Sequence, residues 1–431
     1  MIGFGGATLL IAGLVVLVAC GAQIAVALGV VGFLGTYLAT GDWHAVASLL
    51  AGAAYDGMRQ PALLVIPLLM LMGEFIARSG AITALFRSLS RELRGLSGGT
   101  ALAATVSQAL YAFVAGASAS SAAGFTRITY PALKAALSDG PMALGLLASS
   151  AAFGALIPPS VLLAVWGLLA HQPIGPLFLA ALVPAIVTAG LFAVVVLSSA
   201  ATRRTVAAGN ASTGFTAHGI ESAIGIALVL IVILGGIGTR LLTPLEAASV
   251  GTVIGLLMAL RQGMRLAAIV EAILAVGRAS APILLLIFAA QIYSQALAVT
   301  GFGTALTSAV AGLGFGLGLA TMVAIWLILS IVLDQLSIMA LTVTVFAPAA
   351  IKLGIDPLAF ALIGVIALET AQLIPPFGLL VFTAKAAVED DGVALPEIFR
   401  HVLPFLGILL GLLLVLTTFP AIATWLPRLA F

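Results

Sequence analysis

Two short sequences that each contain a pair of prolines could hold a cation. Leu156-Ile157-Pro158-Pro159 recurs about half a chain later as Leu373-Ile374-Pro375-Pro376. Proline has no backbone N–H, so a helix stops there and leaves carbonyl oxygens without a donor. Such oxygens suit a hard cation such as sodium. We therefore predict a sodium site at the two breaks, formed by Ser149, Ser150, Gly154, Pro158, Glu369, Thr370 and Pro375, together with Asp334.

Two apolar regions are interrupted by small or polar residues. The first, at 100–137, contains Gly116-Ala117-Ser118-Ala119-Ser120-Ser121, and the second, at 314–351, contains Asp334-Gln335-Leu336-Ser337. Each arm is shorter than the ~20 residues that a spanning helix needs, so the pattern predicts two re-entrant helical hairpins. Irregular backbone at that depth must line protein or a water-filled cavity. The predicted substrate ligands in these regions are Ser118, Ser120, Ser121, Arg127 and Ser337.

Three charged residues in these regions have two interpretations each. Asp334 can bind the cation or cap the following half-helix through backbone N–H groups, and the two roles are compatible. Glu369 can coordinate the cation or brace the broken helix. Arg127 can attract a carboxylate or form an internal salt bridge. The sequence leaves these alternatives open, because charged groups inside a membrane are commonly both paired and functional.

The composition places these elements in a lipid bilayer. Of 431 residues, 62% are hydrophobic and only 7% are charged, whereas a soluble domain carries about 25% charged residues. We therefore predict an all-α polytopic membrane protein. The net charge of +2 and the absence of a basic block argue against nucleic-acid binding. The sequence has no P-loop, His-Glu-x-x-His or Gly-x-Ser-x-Gly motif, so we predict no enzymatic activity and no cofactor other than sodium as a coupling ion.

An internal repeat organises the chain. Besides the proline pairs, Pro131 matches Pro348 and Pro61 matches Pro282 at nearly the same offset. We predict two repeats, each with scaffold helices, a connecting arm, and transport elements made of a hairpin and a broken helix. The predicted segments are scaffold helices at 1–78, an arm at 79–98, transport elements at 99–200, a cytoplasmic linker at 201–217, scaffold helices at 218–299, an arm at 300–313 and transport elements at 314–431.

Each repeat is predicted to cross the membrane at three spans, one broken span and one final span. Because this number is odd, the second repeat has inverted topology relative to the first. With both termini in the periplasm, most basic residues fall in cytoplasmic segments, in agreement with the positive-inside rule. The residues in those segments are Arg78, Arg87, Arg91, Arg94, Lys134, Arg203, Arg204, Arg261, Arg265, Arg278, Lys385 and Arg400.

The sequence from Leu333 to Met339 and both Leu-Ile-Pro-Pro motifs resemble the large membrane (permease) subunit of TRAP transporters, the tripartite ATP-independent periplasmic systems of the ion-transporter superfamily. The resemblance covers nearly the whole chain. Gln335 departs from it, because Gly or Pro is usual at that position. Further matches are Ile66-Pro67-Leu68 through Gly73-Glu74, Ser79-Gly80, Gly354-Ile355-Asp356-Pro357 and Leu403-Pro404-Phe405.

The resemblance implies a secondary active transporter for sodium-driven uptake of organic acids such as four-carbon dicarboxylates or sialic acid. It implies two protein partners, a periplasmic substrate-binding protein that delivers the substrate and a small four-helix membrane subunit that braces the chain. It also implies a bacterial inner-membrane location and an elevator mechanism, in which hairpins and broken helices move against the scaffold. The alternative is a stand-alone or proton-coupled anion symporter of the same superfamily.

Overall fold

The computed structural model describes residues 12–14, 16–18, 20–199, 216–388 and 392–431. In these ranges every regular element is a helix. The helices of the first repeat are α1 (Ile24–Thr40), α2 (Trp43–Arg59), α3 (Pro61–Arg78), α4 (Ala81–Glu92), α5 (Gly99–Ala115), α6 (Ser118–Leu137), α7 (Gly140–Leu156), α8 (Val161–Leu169) and α9 (Ile174–Ser198). Those of the second repeat are α10 (Ala217–Gly238), α11 (Pro244–Arg261), α12 (Leu266–Thr300), α13 (Phe302–Gly312), α14 (Phe315–Leu329), α15 (Gln335–Lys352), α16 (Pro357–Ala371), α17 (Leu379–Ala386), α18 (Leu395–Thr418) and α19 (Ala421–Ala430).

Seven helices of the described ranges are long and apolar enough to cross a membrane, or eight if α7 and α8, bent by 42°, form one span. The prediction of an all-α polytopic membrane protein is therefore confirmed. Three predicted spans are not among these helices. The span predicted at 7–20 lies mostly outside the described residues, α1 has only 17 residues, and the second broken span consists of two short pieces, α16 and α17. The linker predicted at 201–217 also lies outside the described residues, except at its last two positions.

The predicted scaffold helices of one repeat pack against those of the other. α1 packs against α12, and α3 packs against α11, so the second span of each repeat contacts the third span of the other. Glycines make both contacts close. A Cβ atom on Gly32 would lie 3.2 Å from the backbone N of Tyr293, and one on Gly255 would lie 3.0 Å from the carbonyl oxygen of Met72. Small residues allow such close helix crossings in membranes.

The apolar pattern predicts a weakly amphipathic stretch at 264–279 and a separate third span at 282–299, but the structure joins them in one helix. In the first repeat, Gln60 is extended, with ψ at 105°, as the residue before a proline prefers, and Pro61 begins α3. Pro282, the equivalent residue, lies inside α12, which continues for 35 residues. The predicted boundary near 279–282 is therefore wrong. A proline inside a membrane helix removes one hydrogen bond, and packing against neighbouring helices makes this tolerable.

The first hairpin turn is shorter than predicted, and the second lies earlier than predicted. Only Gly116 and Ala117 separate α5 from α6, and Gly116 has a φ of 65°, which favours glycine. In the second hairpin the turn is at 330–334, and α15 begins at Gln335. The serines predicted to lie in the turns therefore lie in the first helical turns instead. The arms α5 and α14, of 17 and 15 residues, are short for a span, as predicted. The other two arms are longer than predicted, since α6 has 20 residues and α15, with 18, is one of the seven helices long and apolar enough to cross a membrane.

The connecting arms and the C-terminus contain helices that the apolar pattern did not predict. α4 and α13 lie in the predicted arms, and α19 follows the final span directly. α19 packs against α9 and α16. Arg428 in α19 lies 3.5 Å from the carboxylate of Asp356, and Arg240 Nε donates a hydrogen bond to the Ala430 carbonyl at 2.7 Å. Because residues 395–430 form one apolar run, the sequence does not indicate the boundary between α18 and α19.

An aromatic cluster occupies the core of the transport elements. Trp166 of α8, Trp326 of α14 and Phe360 of α16 have ring centroids between 5.4 and 5.8 Å apart. Trp326 Nε1 donates a hydrogen bond to Thr342 Oγ1 of α15 at 2.9 Å. Gly364 makes room for the rings, because a Cβ atom there would lie 2.4 Å from the Trp166 ring. The transport elements of both repeats thus share one core.

Candidate functional site

A cavity of about 180 Å³ lies where both hairpins and both helix breaks meet. Its wall includes four of the predicted site residues, Ser118, Gly154, Asp334 and Glu369. The scaffold contributes Met70 of α3 and Ile283 of α12. We call this space the Glu369 cavity. The topology brings its parts together because each hairpin turn and each proline pair interrupts a helix at a similar depth.

Glu369 connects the second helix break to the first hairpin. Its side chain is completely buried, and Ser118 Oγ donates a hydrogen bond to Oε1 at 2.5 Å. This bond joins the first turn of α6 to α16, a helix of the other repeat. The first repeat has Ala152 at the position equivalent to Glu369. Only one repeat therefore supplies a carboxylate, and the cavity is chemically asymmetric although the fold is repeated.

The second carboxylate oxygen of Glu369 is available to a ligand. Glu369 Oε2 is buried, and among the described residues it has no hydrogen-bond partner. Gln335, the first residue of α15, lies beside the carboxylate, and its Nε2 has no partner there either. Gln335 is the repeat equivalent of Ser118. An unpaired buried oxygen costs roughly 1–3 kcal/mol or more when it is charged, so a cation or a proton at this oxygen would stabilise the site.

Two backbone carbonyls at the first break are suited to cation binding. Gly154 and Ala155 line the cavity. In a continuous helix their carbonyls would accept hydrogen bonds from Pro158 and Pro159, which have no N–H to donate. Gly154 also packs against the first hairpin turn, since a Cβ atom there would lie 3.1 Å from the backbone N of Ser118. The first break thus provides oxygen atoms close to the turn.

Asp334 caps α15. Its carboxylate accepts hydrogen bonds from the backbone N of Leu336 at 3.1 Å and of Ser337 at 3.2 Å, and from the hydroxyl of Ser337. Because Ser337 is committed to this cap, it does not line the cavity as predicted. The structure shows the capping role of Asp334, and cation binding by the same carboxylate stays a prediction.

Most of the other predicted hydroxyl ligands bond to their own helices instead of facing the cavity. Ser149 donates to Gly145 and Thr370 donates to Ile366, each through the carbonyl four residues earlier. Helical hydroxyls commonly satisfy themselves in this way. The remaining three are Ser120, which donates to Ala117, Ser121, which donates to Ser118, and Ser150, whose Oγ is buried without a partner among the described residues.

Arg127 and the prolines also differ from the prediction. Arg127 is exposed on α6 and does not line the Glu369 cavity. It lies more than two turns beyond Ser118, and the helical register directs it away from the cavity. Pro158 is buried, whereas Pro375 is exposed. Neither proline lines the Glu369 cavity. The first break is enclosed by protein, whereas the second break is exposed.

Sequence reasoning missed Gln372 and the two scaffold residues. Gln372 lines the cavity and precedes Pro375 by less than one helical turn. An uncharged amide in an apolar helix is an unusual choice, so the rule that polar groups in membrane helices mark sites would have found it. Met70 and Ile283 carry no such signal, because apolar side chains are ordinary in spans.

The sequence model of the family described as "Tripartite ATP-independent periplasmic transporter, DctM component" matches residues 11–422. This chain belongs to the DctM family. The match includes both hairpins, both breaks and every residue of the Glu369 cavity. The resemblance seen at Leu333–Met339 and at the proline pairs is therefore confirmed, and the chain is a large permease of the TRAP type.

Two relatives illustrate the range of the DctM family. The C4-dicarboxylate TRAP transporter large permease protein DctM of Pseudomonas aeruginosa is 28% identical over 383 residues, covering 88% of this chain and 89% of that protein. The isethionate TRAP transporter permease protein DctMQ of Oleidesulfovibrio alaskensis is 25% identical and covers 93% of this chain, but only 63% of the longer relative is matched. Both are transporter permeases rather than enzymes.

A solved structure shows the same fold. The YdaH transporter of Alcanivorax borkumensis superposes with a TM-score of 0.66, covering 88% of this chain and 90% of that chain at 15% sequence identity. At this identity the likeness concerns the fold alone. It places this DctM-family chain in a membrane-transporter architecture.

Proposed function

We propose that this chain forms the translocation pathway of a TRAP transporter and takes up a small organic anion together with sodium. The observation that carries the proposal is the Glu369 cavity, where two hairpins, two helix breaks and a buried carboxylate meet. Secondary transporters with inverted repeats build their ion and substrate sites from such breaks.

Oxygen atoms of the cavity support sodium as the coupling ion. Glu369 Oε2 lacks a partner among the described residues, and the carbonyls of Gly154 and Ala155 cannot receive their usual helical hydrogen bonds. Sodium is a hard cation and prefers oxygen ligands. A sodium ion beside Glu369 would also neutralise a buried negative charge, which is costly inside a membrane.

The start of α6 supports an anionic substrate. Ala117, the residue before α6, provides no side-chain cap, so the backbone N–H groups of the first turn are available to a ligand. A helix N-terminus carries a partial positive charge and binds carboxylates and related anions. α15 differs, because Asp334 already accepts from its first turn. The names of the dicarboxylate and isethionate relatives agree with an anion at the cavity.

The test is uptake by the reconstituted complex with its binding protein, with sodium and pH varied separately. We expect uptake to require a sodium gradient, because the chain has no motif for ATP hydrolysis. A membrane potential of 100 mV contributes about 2.3 kcal/mol per co-transported charge. Equal uptake without sodium would reject sodium coupling.

The same test examines the alternatives. Proton coupling is favoured by one observation, the complete burial of the Glu369 carboxylate, whose Oε1 accepts from Ser118 while Oε2 has no partner within hydrogen-bond distance among the described residues. Uptake that follows a pH gradient in sodium-free buffer would support it. Uptake without the binding protein would instead identify a stand-alone symporter. Either result leaves the Glu369 cavity as the site but changes the coupling ion or the partner.

Substitutions at Asp334 separate capping from cation binding. Asparagine caps helices about as well as aspartate, whereas alanine loses about 1 kcal/mol. We expect Asp334→Asn to keep the melting temperature of the purified protein and to raise the sodium concentration for half-maximal uptake. Asp334→Ala should lower the melting temperature as well. An Asp334→Asn variant with unchanged sodium dependence would assign the residue to capping alone.

We propose two protein partners, a periplasmic substrate-binding protein and a small four-helix membrane subunit. The family description, a component of a tripartite periplasmic transporter, supports partners in general. The DctMQ relative is longer than the region that this chain matches, which supports a small membrane subunit as a partner. Co-purification of this chain with the product of a neighbouring reading frame for a small membrane protein would test the second partner.

We also propose an elevator movement in the bacterial inner membrane, with both termini in the periplasm. The basic residues in the segments predicted to be cytoplasmic support this orientation. In a Cys20→Ser background, we expect a cysteine at Ala421, which is exposed at the start of α19, to react with an impermeant reagent from the periplasmic side. A cysteine at Ser212, in the predicted linker, should react only from the cytoplasmic side. Labelling of both from one side would contradict the inverted topology.

A further inference from the structure

A second cavity, of about 150 Å³, lies between the scaffold and the transport elements. Gln60 and α12 belong to the predicted scaffold, whereas the loop after α8 and helix α15 belong to the predicted transport elements. Its polar lining consists of Gln60, His171, Gln291, Ser294, Gln295 and Thr344. We call it the Gln291 cavity. None of these residues lines the Glu369 cavity, and the proposed function does not use them.

Two polar atoms of the Gln291 cavity lack hydrogen-bond partners among the described residues. They are Gln291 Nε2, which can only donate, and Thr344 Oγ1, a hydroxyl that can donate. The Oε1 atom of the Gln291 amide lies near α2, since a Cβ atom on Gly57 would lie 3.3 Å from it. Buried donors without partners are unfavourable. The lining is therefore prepared for a ligand that accepts hydrogen bonds.

The charges of the two cavities differ. The described lining of the Glu369 cavity contains two carboxylates, Asp334 and Glu369. The described lining of the Gln291 cavity contains amides, hydroxyls and the imidazole of His171, but no carboxylate. An anion in the first cavity meets negative charge unless a cation accompanies it. An anion in the second cavity meets amide, hydroxyl and imidazole groups, and no carboxylate of the described lining.

The repeat places Gln291 at a ligand-facing position. Gln291 follows Pro282 by the same number of residues by which Met70 follows Pro61. Met70 lines the Glu369 cavity, so the same face of the third span lines a cavity in each repeat. In the second repeat that face carries Gln291 and, one turn later, Ser294 and Gln295, where the first repeat has Met70, Gly73 and Glu74.

We propose that the Gln291 cavity binds the carboxylate or sulfonate group of a small organic anion, as a second site separate from the Glu369 cavity. Donation from Gln291 Nε2 and Thr344 Oγ1 would hold the anion. Because the walls come from both the scaffold and the transport elements, occupancy would favour the arrangement in which these elements are together. That this anion is also the transported substrate rests on the proposed function. That the lining prefers anions follows from its donors alone.

Charge-selective modification of cysteines tests the proposal without measuring transport. Single cysteines at Ser294, at Ala117 in the Glu369 cavity, and at Ala421 as an exposed reference are placed in a Cys20→Ser background. Each reacts with an anionic and a cationic methanethiosulfonate reagent of similar size. Relative to the reference, we expect the ratio of anionic to cationic rates to be about tenfold higher at Ser294→Cys. At Ala117→Cys it should be lower than the reference.

Two further measurements decide whether the lining itself causes the preference. Thr344→Val keeps the shape of the side chain but removes its hydroxyl, so it should bring the rate ratio at Ser294→Cys back toward the reference. In the second measurement, succinate should slow the modification of Ser294→Cys only when Thr344 is present. Gel filtration confirms that the variant is folded, and Gln291→Leu serves as the second variant. A ratio at Ser294→Cys equal to that at Ala421→Cys would show a water-filled crevice only and overturn the proposal. Sodium-dependent uptake, measured on the same preparation, shows separately whether the proposed function holds.

Discussion

Replacing Glu369 by glutamine should lower the initial rate of substrate uptake by about 10- to 100-fold. Glutamine keeps the size of the side chain but removes its charge, so Ser118 Oγ loses the charged acceptor that it contacts at 2.5 Å and a bound cation loses its counter-charge. A hydrogen bond to a charged group is worth about 1.5–3 kcal/mol, and each 1.4 kcal/mol changes a binding constant tenfold. The measurement is uptake of labelled substrate by the reconstituted complex.

Thr129→Val is the matched control for this substitution. Thr129 of α6 is equally buried and does not line the Glu369 cavity, and its hydroxyl donates to the carbonyl of Phe125 in the same helix. Its replacement should leave the rate of uptake within about twofold, because only a local hydrogen bond is lost. Glu369→Gln with normal uptake and normal sodium dependence would refute the central role of this carboxylate.

Adding one methyl group at Gly73 should strongly destabilise the protein. A Cβ atom there would lie 1.7 Å from the carbonyl oxygen of Val114, so Gly73→Ala must push α3 of the scaffold away from the end of α5. Overpacking of this kind costs about 1–3 kcal/mol or more, and each kcal/mol shifts Tm by roughly 2–4 °C in a large domain. We expect a loss of at least about 5 °C in the Tm of the purified protein and little uptake.

Gly277→Ala is the control for Gly73→Ala. Gly277 lies inside α12, and a Cβ atom there would meet nothing within 4 Å. Alanine is the better helix former by about 1 kcal/mol, so the Tm should stay constant or rise slightly. Equal melting temperatures of the two variants would show that α3 and α5 do not meet as closely as described.

The sequence was sufficient to predict the repeated architecture, because helix breaks coincide with recognisable residue types. The proline pairs marked both broken helices, and the short apolar arms marked both hairpins. Helix α12 was not predicted as one helix, because a proline such as Pro282 does not always end a helix. Whether it does depends on packing against residues that are distant in sequence. Helix α19 was not predicted as a separate helix, because a continuous apolar run does not indicate where a span ends.

The candidate site was predictable in part. Ser118, Gly154, Asp334 and Glu369, which line the Glu369 cavity, could be selected because small and acidic residues in apolar helices are unusual. Their roles in binding stay predictions. The error at Ser120, Ser121 and Ser337 came from the position of the helix starts, since a shift of the turn by a few residues moves hydroxyls from the cavity into a first helical turn. The partnership between Ser118 and Glu369 spans the two repeats, and no local pattern could reveal it.

The aromatic cluster gives the protein an intrinsic optical signal. Trp166 and Trp326 are fully buried, whereas Trp43 and Trp425 are 55% and 59% exposed. The emission wavelength of the buried pair depends on the surrounding protein, whereas that of the exposed pair depends on lipid and water. Because the buried pair joins helices α8, α14 and α16, its emission should follow the integrity of the core that these helices share. In the proposed elevator movement that core moves as a unit, so the emission should stay constant. A protein with Trp43→Phe and Trp425→Phe would therefore separate unfolding from transport movement without any attached dye.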